Sequence, residues 1–316
     1  MADIEIHSPS ATQAAPVSPS TPPSTLFRGP NGIRAGWRVL IFIALVCSIV
    51  LALVVGLKIF TRGQARVGVQ VSGATPLGLV MLEGPLLFFT AIPALIMSRI
   101  ERRSWGRYGL PARTAFGKNF WIGGVAGFLA ISGALLCIFL LHGFRLAGLA
   151  IHGSTIVSST IAWGATFILV GLAEEFSFRG YLQFTLGEGI GFWPSAILLS
   201  LLFAFAHSGN PGESKAGLLA IIPFGLLFCL FLRRTGDLWL AVGFHAGWDW
   251  GQTFFYGVPD SGIAAYHNLL NSHFSGPNWL TGGSVGPEAS IFTPITLAIV
   301  AIVFVRIYRN RDSRAV

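Results

Sequence analysis

Two adjacent carboxylates, Glu174 and Glu175, stand in an otherwise apolar run, G-L-A-E-E-F-S-F-R-G, with Arg179 four residues beyond the second. Side chains four apart stack on one face of a helix, so Glu175 and Arg179 can pair. Glu174 is turned about 100° away and is left free to point elsewhere. Phe203 and His207, in F-A-F-A-H, repeat the four-residue spacing, and so do His245 and Asp249, in F-H-A-G-W-D-W. An aspartate at that spacing can accept the imidazole proton and fix its tautomer. Taken singly, each pair also reads as a buried polar contact or a helix-stabilising ion pair. Taken together, one free carboxylate and two imidazoles are a common means of activating water, as a general base or through a bound metal. Glu174, His207, His245 and Asp249 are thus both the candidate catalytic set and the candidate ligand set for a divalent ion such as zinc. Asp249 serves either as a fourth ligand or, if protonated, as an oxyanion donor. The HExxH pattern of zinc proteases is missing from the chain, and the sequence does not decide between metal-dependent and metal-free chemistry.

These residues need elements that hold them inside a low-dielectric medium. The 316-residue chain is 53% apolar and 11% charged, against about 25% charged for an average soluble domain. Its apolar runs approach the roughly 20 residues that a helix needs to cross a bilayer. They are continuous rather than alternating, which excludes a β-barrel. The fold class is therefore all-α, a polytopic membrane bundle of about eight transmembrane helices. The spans fall near 36–60, 73–98, 119–142, 155–187, 190–207, 216–232, 237–256 and 290–308. Residues 1–25, rich in Ser, Thr, Pro and Ala, read as a disordered tail, and 26–316 as the membrane domain. An ionisable side chain in hydrocarbon is costly and points to function by default. Glu83, mid-span beside Gly84 and Pro85, joins the list on that ground, facing a cavity or pairing with an arginine.

The net charge of +8 belongs in loops that orient the spans. Arg99, Arg102, Arg103, Arg107, Arg113 and Lys118 follow the second span. Arg233 and Arg234 follow the sixth, and Arg306, Arg309, Arg311 and Arg314 the eighth. With eight spans all three clusters fall on one side, which puts both termini in the cytoplasm and the Gly/Pro-rich loop 257–289 on the far face. Lys58, Arg62 and Arg66 break this pattern. No basic face with interleaved aromatics suggests nucleic acid, so the expected partners are the lipid bilayer and a membrane protein or peptide substrate. Cys47, Cys137 and Cys229 read as small buried hydrophobes. Trp248 and Trp250 read as packing or interface aromatics. Counted along ideal helices, His207 lies nearer the outer face than Glu174. Their convergence requires tilt, a break near Gly180 or a shifted boundary.

The motifs E-E-F-S-F-R, F-A-F-A-H and H-A-G-W-D resemble, in order, the EExxxR, FxxxH and HxxxN/D motifs of the CAAX prenyl protease type II and bacteriocin-processing (CPBP, Abi) intramembrane protease family. The resemblance covers about residues 160–255 and extends to the flanking R-G-Y-L and R-R-T-G-D-L-W-L-A-V-G-F-H stretches. It implies an eight-helix bundle with a cavity opening to the cytosolic side. It implies that Glu174 activates water with help from His207. His245 and Asp249 would hold the oxyanion, and Glu175, Arg179 and Phe203 would support the site. Many members carry Asn where this chain has Asp249. Asn always donates a hydrogen bond, whereas Asp donates only when protonated.

The function implied is that of an endopeptidase acting on a membrane-associated, prenylated or lipid-facing protein or peptide, as a glutamate or metalloprotease. The alternatives are a non-catalytic immunity or scaffold protein of the same fold and a proton-linked transporter using Glu83, Glu174 and His207. The match of Gly282-Gly283-Ser284-Val285-Gly286 to GxSxG falls in a loop and lacks the strand-to-helix elbow that the nucleophile requires.

Overall fold

In the computed structural model, residues 26–29, 32–62, 75–264 and 266–309 are described. The expected tail at 1–25, and Arg66, Arg311 and Arg314, lie outside them. Residues up to Arg34 form one unit and Ala35 onward a second. In the first, β1 (Arg28–Gly29) pairs antiparallel with β2 (Gly32–Ile33).

The second unit is helical. Its long elements are α1 (Ala35–Phe60), α2 (Pro76–Ile100), α3 (Lys118–Leu140), α4 (Ser154–Arg179), α5 (Tyr181–Ile190), α6 (Phe192–Ala206), α7 (Lys215–Thr235) and α8 (Trp239–Asp249). A π-helical turn, Trp250–Phe255, continues α8, and the short α9 (Asn278–Thr281) precedes α10 (Phe292–Ile307). Among the described residues, six helical stretches are long and apolar enough to cross a membrane. The expected seventh span is the eleven-residue α8 with its π turn, and the eighth is the sixteen-residue α10, so the count of eight is approximate. Leu51, Leu129, Phe205 and Ile299 expose their side chains on the outside of the bundle, as a multi-pass protein does when lipid is its solvent.

Local chemistry sets the helix ends. The Thr75 hydroxyl accepts the Gly78 N–H at 3.0 Å ahead of Pro76, and the Ser214 hydroxyl accepts the Gly217 N–H at 3.1 Å, so α2 and α7 both begin on capped turns. Gly236, at φ +80°, ends α7 in the left-handed conformation that glycine adopts without strain. Gly180 separates α4 from α5. A Cβ there would lie 2.3 Å from the Phe176 carbonyl oxygen, so only glycine fits this corner.

α8 is held by its closest neighbour, α3. A Cβ on Gly127 would meet the Phe244 carbonyl oxygen at 2.1 Å, and one on Gly247 the Gly124 carbonyl oxygen at 2.0 Å. Small residues at such a crossing let two backbones approach, the usual way helices associate where lipid removes the hydrophobic drive.

The loops sort to two ends. At one end Trp239 donates to the Pro111 carbonyl at 3.2 Å, Thr114 to Asp237 at 3.3 Å, and Arg234 to the Arg309 carbonyl at 3.4 Å. The described members of the three basic clusters therefore share this end, as expected. At the other, β3 (Phe144–Leu149) pairs antiparallel with β4 (Leu270–Phe274), joining the α3–α4 connection to the long loop 257–289. Lys58 and Arg62 close α1 at this second end. Among the cysteines only Cys229 is buried; Cys137 is intermediate and Cys47 is exposed on the outer surface of α1. Cys47 therefore departs from the expected burial, because the apolar run it occupies turns outward.

Candidate active site

α4 and α5 run on to Ile190 and α6 returns from Phe192, so Glu174 and His207 stand at similar distances from that turn and come level. His207 follows α6 directly and so sits beside α4. Its Nε2 lies 4.0 Å from Glu174 Oε1, and its Nδ1 donates to the Phe203 carbonyl at 2.9 Å. That local bond leaves Nε2 to face Glu174. The rings of Phe203 and His207 stack edge-on at 4.8 Å.

The third motif arrives on α8. His245 Nε2 lies 3.5 Å from Glu174 Oε2 and 3.4 Å from Asp249 Oδ2. Its Nδ1 is 3.0 Å from Glu175 Oε1, and the same oxygen accepts from Arg179 Nη1 at 3.3 Å. The adjacent carboxylates thus divide their work. Glu175 and Arg179 are fully inaccessible and form a backing layer, while the Glu174 side chain keeps 14% of its surface open. The Arg179 guanidinium lies 4.2 Å from the centre of the Phe203 ring and 5.6 Å from that of Phe228, so aromatic faces as well as Glu175 balance its charge. Reading i, i+4 spacing alone assigned tautomer control of His245 to Asp249. The group on Nδ1 is Glu175, which no spacing along one helix reveals, because the two residues lie on α4 and α8.

A cavity of about 380 Å³ opens beside Glu174, His207, His245 and Asp249. Its wall includes Glu83 on α2, a residue 7% exposed whose Oε2 has no hydrogen-bond partner. Of the two options left for Glu83, the cavity is the one realised. Asp260 and Glu288 complete the polar lining. Both sit in loops and were missed from sequence, since a carboxylate in a Gly/Pro-rich loop looks like an ordinary solvated one. Asp260 accepts from the Thr253 hydroxyl at 2.7 Å, and Glu288 from the Ser261 N–H and hydroxyl at 2.8 and 2.9 Å. Burial pushes the Asp260 carboxyl above the usual range, and burial with the neighbouring Asp260 charge does the same to Glu288.

The lining loop residues Asn210, Asp260, Ser261 and Glu288 come from the end of the bundle opposite the basic loops. Two expectations therefore pull apart: basic loops in the cytoplasm, and a cavity that opens to the cytosol.

Residues 156–251 match the family described as Type II CAAX prenyl endopeptidase Rce1-like. This segment is of the type II CAAX-protease family. It runs from the first turn of α4 into the π turn and carries all seven residues of the three motifs. Glu83, Asp260 and Glu288 lie outside the CAAX-protease segment, on parts of the chain that the match does not reach. No curated protein matches the chain significantly.

As to metal, Glu174 with two imidazole Nε2 atoms is a nitrogen and oxygen donor set of the kind zinc takes. The second nitrogen of each ring is fixed by Phe203 or Glu175, as metal-bound imidazoles require. The donor chemistry fits. A different trio, Asp249, Asp260 and Glu288, brings one oxygen from each residue within 4.8 Å of the others. The loop match to GxSxG has no role in the site: Ser284 donates to the Gly212 carbonyl at 2.8 Å.

Proposed function

We propose that the chain is an intramembrane endopeptidase whose Glu174 activates the attacking water. The observation that carries this reading is the position of Glu174, free on the cavity wall and flanked by two imidazole Nε2 atoms at 4.0 and 3.5 Å. The longer gap exceeds a direct hydrogen bond and suits one bridging water. Glu174 takes the water proton, the hydroxide attacks the peptide carbonyl, and Glu174 returns the proton to the leaving amine. His245 donates through Nε2–H to the developing oxyanion when it is protonated, with Glu175 holding the ring at Nδ1. Asp249 orients and balances that imidazolium, the role left to a carboxylate where an amide would donate. A divalent ion, when bound, would be held by Glu174, His207 and His245 and would make its water more acidic.

The reading predicts that Glu174→Ala abolishes cleavage of a membrane-anchored peptide while the protein still inserts. Undiminished cleavage would reject it, and retention of a biological effect without cleavage would favour a non-catalytic role. We orient the basic end toward the cytoplasm, with the loop-lined end of the cavity on the other face. Labelling of Ser261→Cys by an impermeant maleimide from the non-cytoplasmic side tests that orientation, and labelling only from the cytoplasmic side reverses it.

A further inference from the structure

The chain carries a surplus of basic residues, with 21 Lys and Arg against 13 Asp and Glu. The cavity inverts that balance. Glu83, Glu174, Asp249, Asp260 and Glu288 line it, together with two histidines and neither lysine nor arginine. The nearest guanidinium, Arg179, is fully buried behind Phe203 and committed to Glu175. Glu83 contributes an unpartnered oxygen on a side chain that is more than nine-tenths buried. Buried carboxylates without a counter-charge are costly and are expected to attract either a proton or a cation.

The arrangement is directional. One carboxylate oxygen from each of Asp249, Asp260 and Glu288 lies within 4.8 Å of the other two. Asp249 is 3.4 Å from His245 Nε2, which is itself 3.5 Å from Glu174. A positive group held by the trio therefore lies beside the reacting centre, while the rest of the wall, Leu82, Leu86, Phe167 and Phe224 among it, is apolar. We infer that the cavity takes an apolar peptide bearing a lysine or arginine next to the bond to be cut, with Asp249, Asp260 and Glu288 receiving its charge. On a peptide of about 3.5 Å per residue, the basic residue falls within about two positions of the cleaved bond. This substrate class deepens the hydrolase reading and rests on it for the role of Glu174; recognition of the cation is separable and is tested by binding.

The probes are three fluorescent amphipathic peptides, identical except for one central residue: lysine, norleucine or glutamate. Anisotropy with the full-length, purified Glu174→Gln protein in detergent reads their affinities without turnover. The lysine peptide is expected to bind at least tenfold more tightly than the norleucine peptide, and the glutamate peptide more weakly than either. Asp260→Asn and Glu288→Gln should each cut the lysine-to-norleucine ratio at least threefold. Equal binding of the three peptides overturns the inference, and that arm needs neither loop variant to fold. Tight binding of Mn²⁺ or Ca²⁺ that abolishes the lysine preference assigns the trio to a metal and overturns it too. A lysine preference in a wild-type protein that hydrolyses nothing supports the cation site and counts against the hydrolase reading.

Discussion

Two regions bury charge in this bundle, and they do it in opposite ways. At the basic end Arg38 reaches Glu101 and Glu188, each at 2.5 Å, and Arg103 pairs with both acids. Tyr181 and Tyr108 donate to Glu101 at 2.6 and 3.3 Å. Two cations meet two anions, and hydroxyls fill the remaining lone pairs. Around the cavity, five carboxyls face two imidazoles and no fixed cation. The first region ties α1, α2 and α5 together with its charges matched. The second is incomplete without protons, a metal or a ligand. Balance marks a structural tie, and imbalance marks a site.

The contrast can be broken from the structural side first. Arg38→Met leaves Glu101 buried against the remaining Arg103, and loss of one partner from a buried pair costs about 3 to 5 kcal/mol. The expected result is a markedly lower melting temperature in detergent, whereas an unchanged one would show that the network contributes little. Next is the crossing that holds α8. Gly127→Ala places a Cβ 2.1 Å from the Phe244 carbonyl, a backbone clash expected to cost about 1 to 3 kcal/mol. It should lower cleavage as well, because His245 and Asp249 ride on the displaced helix. A variant that melts and cleaves like the wild type would refute the close approach.

Glu175→Gln sharpens the comparison from the other side, since Glu175 is where a balanced pair meets the unbalanced cavity. Loss of a charged partner behind a catalytic imidazole is expected to lower the rate about 10- to 100-fold. The loss should fall on kcat rather than KM, and a KM effect alone would place Glu175 in substrate binding. The smallest effect is at Glu213, in the loop before α7, within charge range of His207 and Glu288 at the edge of the cavity. Burial raises its pKa, although the Ser214 N–H works against the shift. A raised folded-state pKa means that the folded chain holds the proton more tightly, so this residue's contribution falls as pH rises past the ordinary carboxylate range. Glu213→Gln should flatten the part of the melting profile just above the ordinary carboxylate range. A profile identical to the wild type's would remove Glu213 from the account.

Much of this was legible in the sequence because lipid imposes a simple code. Apolar run length located the long helices, and rare ionisable residues within them named the motif residues that meet at the cavity. Spacing found Glu175 with Arg179 and His245 with Asp249, since both pairs lie on single helices. It could not find the bond from Glu175 to His245, which crosses between helices. Nor could it see how the hairpin from α5 into α6 brings His207 level with Glu174. α8 was read as a full span because its apolar residues suit the buried interior of the bundle as well as they suit lipid. Asp260 and Glu288 escaped notice because loop composition says nothing about whether a loop folds back over a cavity.

The account stands on Glu174 as the group that activates water, and one pair of numbers tests it: the cleavage rate and the melting temperature of Glu174→Gln, measured on one preparation in proteoliposomes. The substitution keeps size and removes the base. The account predicts a rate reduced by at least about a thousandfold, some 4 kcal/mol of transition-state stabilisation, with a melting temperature close to that of the wild type. A variant that cleaves at the wild-type rate would contradict it.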